Sequence, residues 1–96
     1  MEEIPLKISD LAISEIKNII DKKSIPDNYA LRIGVKGGGC GATFMLGFDT
    51  PKITDESYLI NNIPILIDKK HLMYVIGMEI DFEETQEGVG FTFSKK

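Results

Sequence analysis

Gly37-Gly38-Gly39-Cys40-Gly41 holds the only cysteine of a 96-residue chain and four of its nine glycines. Glycine admits positive φ and lets backbone come close to a ligand, and the N–H groups of such a run can form a concavity that favours an anion. A thiol carried there is accessible. Neighbouring N–H groups and Lys36 lower a thiol pKa, and the thiolate is the form that ligates metal or attacks. Cys40 is therefore the candidate site. His71, the one histidine, invites a Cys–His pairing, as nucleophile and base or as two metal ligands. No third group for a dyad is identifiable, and His71 reads instead as a residue of a short helix. Asp81, Glu83, Glu84 and Glu87 offer oxygens to a hard cation, but the stretch reads more simply as a solvated face protecting a sheet edge. The glycine run lacks the Lys-Ser/Thr of a P-loop and is followed by strand, not helix, so a phosphate loop is rejected.

The elements that must position Cys40 follow from periodicity. Tyr29 to Lys36 reads as a strand, in which Leu31 to Lys36 alternates apolar and polar residues as a half-buried strand does, and Thr43 to Phe48 returns from the glycine run as a second strand. Upstream, Leu6-Lys7-Ile8 reads as a short strand. Ser9-Asp10 offers N-cap oxygens to a helix from Leu11 to about Lys23, whose apolar positions Ala12, Ile13, Ile16, Ile19 and Ile20 share one side. Ile25-Pro26-Asp27-Asn28 ends it. Downstream, Ser57 to Ile60 and Ile63 to Asp68 flank Asn61-Asn62, a tight hairpin turn because Asn tolerates positive φ. Pro64 belongs at an edge or strand start. Asp68 caps a short helix that Gly77 stops, and two last strands run from Met78 to Glu83 and from Val89 to Phe93. Phe44, Phe48, Phe82, Phe91 and Phe93, with Met45 and Met73, read as core. The expected fold is mainly β with helices, α+β by content: one long helix, one short helix and about six short strands.

Composition bounds what this fold can do. Ninety-six residues, 43% apolar and 27% charged, make one domain spanning 1–96 with a modest core. Fifteen acidic against eleven basic residues give a net charge of −4, and the basic ones are scattered, with Lys22-Lys23, Lys69-Lys70 and Lys95-Lys96 as pairs and no stripe between them, which argues against nucleic acid. No apolar run approaches a membrane span, and Met1-Glu2-Glu3-Ile4-Pro5 lacks a signal-peptide layout. A lone cysteine allows no internal disulfide, as suits a cytoplasmic protein with a reduced thiol.

Four segments in register resemble the HesB/IscA-like family, the A-type iron–sulfur carriers: Ile8-Ser9-Asp10 with Ala12 and Ile16; Leu31 to Gly41; Ile65-Leu66-Ile67-Asp68 with the helix through Leu72; and Gly77 to Phe82 with Gly90-Phe91-Thr92-Phe93 behind it. The resemblance implies a pseudobarrel of two mixed β-sheets with the first helix against its side. It implies a homodimer or higher oligomer, and partners that are iron–sulfur assembly proteins or apo-protein acceptors. It further implies a binding protein, not an enzyme, that holds or transfers iron–sulfur clusters or iron. The family's ligands are three cysteines, of which Cys40 matches the first. The other two form a Cys-Gly-Cys beyond the last strand, and Ser94-Lys95-Lys96 presents no counterpart. The family's Cys-Ser-Gly is also shortened here to Cys40-Gly41. A cluster needs four ligands, so one thiol per protomer implies ligands shared across an oligomer or completed by an external thiol such as glutathione, a partner or a carboxylate. The alternative is a HesB-fold interaction module that has lost cluster binding.

Overall fold

The computed structural model describes residues 5–37 and 43–95. Seven strands and two helices follow in the order β1 (Lys7–Ile8), α1 (Asp10–Lys22), β2 (Ala30–Lys36), β3 (Thr43–Asp49), β4 (Asp55–Ile60), β5 (Ile63–Asp68), α2 (Leu72–Val75), β6 (Met78–Thr85) and β7 (Gly88–Lys95). They form two mixed sheets, one ordered β1-β6-β7 and the other β3-β2-β5-β4. β1 runs parallel to β6 and β2 parallel to β5; the remaining pairs are antiparallel.

Strand alternation explains how the sheets meet. Leu31, Ile33 and Val35 of β2 and Ile63, Ile65 and Ile67 of β5 point to one side, each at most 7% exposed, and join Ile80 and Met78 of β6 in the core. Burial of one such branched side chain stabilises by about 1.5–3 kcal/mol. α1 lays Ala12, Ile13 and Ile16 on this core, while Leu11 on its other side is 65% exposed. The five phenylalanines are half-buried and pack around the core as expected. Phe44 of β3 stacks on Phe93 of β7 at 5.4 Å, and Phe82 meets Phe91 edge-on at 5.1 Å. The first of these contacts joins the two sheets.

Local chemistry sets the ends of the elements. The Ser9 hydroxyl accepts from the Ala12 N–H at 3.1 Å, the expected N-cap. Asn61 and Asn62 both take positive φ, 47° and 68°, which is the two-residue hairpin turn that twisted strands favour. Pro64 sits one residue ahead of the β2–β5 pairing, at a strand start, where its missing N–H interrupts no bond to β2. Asp68 accepts from the Lys70 N–H, but the segment it caps divides into a 3₁₀ turn over Lys69–His71 and the single α-turn of α2. Gly77, at φ 79°, ends it.

Two expectations are corrected. Met45 and Met73 are 43% and 82% exposed and are not core; Met45 lies on the outer face of β3, and the short α2 leaves Met73 facing solvent. Asp81 is not a merely solvated carboxylate. β6 pairs on both sides as far as Ile80, and Asp81 begins the portion freed from β1, where its carboxylate accepts the Ser9 hydroxyl at 2.6 Å and the Phe82 N–H at 2.8 Å. Glu83, Glu84 and Glu87 are exposed, as anticipated.

Candidate functional site

Cys40 falls in residues 38–42, outside the described residues, together with Gly38, Gly39 and Gly41. The frame on either side is described. β2 and β3 pair in unbroken register from Ala30↔Asp49 to Lys36↔Thr43, so the chain leaves and re-enters the sheet through one bonded pair. Just inside it, Val35 is 7% exposed and opposite Phe44, whose ring is held by Phe93. Gly37, directly after β2, has φ 82°, a conformation that side chains rarely adopt. The expected use of glycine thus holds at the one position of the run that is described.

His71 does not lie on a regular helix; it closes the 3₁₀ turn and packs on β2. Its Nδ1 is 3.2 Å from where a Cβ on Gly34 would stand, so the glycine makes room for the imidazole. The acidic stretch does not form a metal site: among the described residues no three His, Cys, Asp or Glu side chains are grouped to hold an ion.

An ion network that sequence reasoning did not single out lies on the outer face of the four-stranded sheet. Because β3 and β4 occupy opposite edges, the connection through residues 50–54 must cross β2 and β5. Arg32 fastens it. Its guanidinium donates to both Asp55 oxygens at 2.6 and 2.7 Å, to Asp49 at 3.0 Å and to the Thr50 carbonyl at 3.2 Å. The Asp55 side chain is 1% exposed, and its charge is tolerated there because the fork pairs it twice. The bond from Arg32 holds the Asp55 carboxyl below its ordinary range; Asp49 is lowered first by the Thr50 N–H and then by Arg32. The sequence signal was an arginine on the polar side of an otherwise apolar strand with aspartates on either side of Thr50-Pro51. These groups fix the scaffold beneath β2 and β3.

Comparison with known proteins places this frame. A family model described as iron-sulphur cluster biosynthesis matches residues 4–96, and the chain belongs to that family. The iron-sulfur cluster insertion protein ErpA of Pseudoalteromonas translucida is 33% identical over 93 residues, covering 94% of this chain and 81% of that one. The SufA protein of Bacillus subtilis is 37% identical over 90 residues, 92% and 74% of the two chains. Among solved structures, IscA with a [2Fe-2S] cluster superposes with a TM-score of 0.73 at 24% identity, over 94% of this chain and 81% of that one. A solution structure of a protein from Aquifex aeolicus gives 0.74 at 33% identity over the full length of both. The two mixed sheets with α1 at their side are the fold that the HesB/IscA resemblance implied.

Proposed function

We propose that the chain is an A-type iron–sulfur carrier in which Cys40 is a cluster ligand. Membership of the iron–sulfur biosynthesis family across residues 4–96 carries the reading. It is supported by the position of the single thiol between two strands whose ends are tied by Lys36↔Thr43 and Phe44–Phe93. The cluster is cargo: it arrives from an assembly protein and leaves for an apo-protein acceptor, and the chain binds it without catalysing a reaction. A thiolate is the donor that iron–sulfur chemistry requires, and Cys40 supplies one of four. The remaining ligands are shared by a second copy or a partner, with a small thiol completing the set, so cluster-bound protein is dimeric or larger. A reduced thiol of this kind belongs in the cytoplasm.

The test is anaerobic reconstitution of the chain with iron, sulfide and glutathione, read by visible absorption and by the mass of the eluting species. Thiolate-to-iron absorption that co-elutes with a dimer or larger species, and is lost in Cys40→Ala at unchanged circular dichroism, is the expected result. Protein that stays colourless alone and with a cluster donor overturns the carrier reading and leaves an interaction module on the same fold.

A further inference from the structure

A cleft of about 310 Å³ opens on the outer face of the four-stranded sheet, away from the core. Its floor is Gly34 of β2 and Gly47 of β3, where two side chains are missing from adjacent strands. A Cβ on Gly34 would crowd the His71 ring, whereas one on Gly47 would meet nothing within 4 Å. Met45 forms an apolar wall, and Lys52, Lys70 and His71 stand around the rim.

The hydrogen-bonding capacity of this rim is unbalanced. Of the two carboxylates that line it, Asp49 receives Arg32, the Thr50 N–H and, at 3.7 Å, Lys52. Asp68 receives the Lys70 N–H and the Thr54 hydroxyl. Arg32 is committed to Asp55 and Asp49. Among the described residues, by contrast, the Lys70 ammonium and the His71 imidazole donate no hydrogen bond and bear on Asp68 through charge alone, and Lys52 has only its long pair. Both carboxylates thus accept hydrogen bonds within the fold, whereas Lys70 and His71 keep their side-chain N–H groups free to donate. A ligand that complements this rim brings acceptor oxygens at two ends and an uncharged middle for Met45 and the glycine floor.

We propose that the cleft binds a small dicarboxylate. One carboxylate is held by Lys70 and His71 and the other by Lys52. The recognition of two carboxylates rests on the cleft alone.

The experiment titrates glutathione, S-methylglutathione and glutarate into the apo chain, following amide and His71 side-chain NMR shifts. All three are expected to saturate, with shifts centred on Gly34, Gly47 and His71. Affinity should fall at least about tenfold when Lys70→Ala and His71→Ala are combined, since each charge-assisted bond contributes on the order of that factor. Gly47→Val, which fills the open floor without a clash, should abolish binding at unchanged thermal stability. Cys40→Ala should bind as the wild type does, which separates this result from the fate of the carrier reading. No saturation up to about 10 mM, weaker than ordinary small-ligand binding, overturns the proposal. Affinity that is unmoved in both cleft variants overturns it as well.

Discussion

The Arg32–Asp55 pair shows why a single side chain can matter more than its neighbours on the surface. Exposed pairs such as Lys69–Glu56, 3.9 Å apart, contribute between nothing and about 1 kcal/mol. Asp55 is almost wholly covered and doubly bonded to Arg32. Removing Arg32 leaves the covered Asp55 carboxylate with only the Lys52 N–H, so Arg32→Ala is expected to destabilise the fold by about 3 kcal/mol. Denaturant unfolding measures this, and Lys69→Ala should stay within about 0.5 kcal/mol of wild type in the same series. The identity of Cys40 as candidate was legible from composition, because one thiol among four glycines has few uses. The Arg32 network was not, because its partners lie 17 and 23 residues away and only the crossing of the sheet brings them together.

Elements were legible wherever local chemistry decides them. The N-cap of α1 was readable in Ser9-Asp10, and the hairpin in Asn61-Asn62. What could not be read was that the cap hydroxyl is itself donated to Asp81, 72 residues on, so that the helix start and β6 share one chain of hydrogen bonds. Ser9→Ala breaks both links. It is expected to cost about 1–2 kcal/mol, against about 1 for an ordinary cap, and a double-mutant cycle with Asp81→Asn should show coupling of at least about 0.5 kcal/mol. At the far end of α2, Gly77→Ala forces a Cβ into φ 79° and should cost about 1 kcal/mol with no new contact to offset it. The misjudged methionines have an equally local cause. Periodicity marks Met45 and Met73 as apolar, but only packing tells which apolar residues of an edge strand or a single helical turn are covered.

At the scale of the whole molecule, four carboxylates among the described residues are held below their ordinary value of 3.8: Asp49, Asp55, Asp68 and Asp81. Each is ionised more readily folded than unfolded. Their stabilisation is therefore complete above the unfolded value and is lost as pH falls through the folded ones. The midpoint of chemical unfolding is expected to be flat from neutrality down to about pH 5 and to drop below about pH 4, with Asp55→Asn flattening the drop. The architecture was largely foreseen because alternation, turns and the family resemblance agreed. The pairing of strands across two sheets depends on partners far apart in sequence, which local periodicity does not carry.

The first strand has a late partner. β1 is hydrogen-bonded to β6 alone, Lys7 opposite Glu79 and Ile8 opposite Ile80, whereas the four-stranded sheet needs nothing beyond residue 68. A chain emerging from the ribosome can therefore complete one sheet while β1 still waits for its partner. Until Met78 to Thr85 appears, Ile13 and Ile16 of α1 lack the β6 face of their core, and that apolar stripe is open to chaperones or to another nascent chain. β1 therefore precedes its pairing strand by about seventy residues, and it is secured only once β6 has followed.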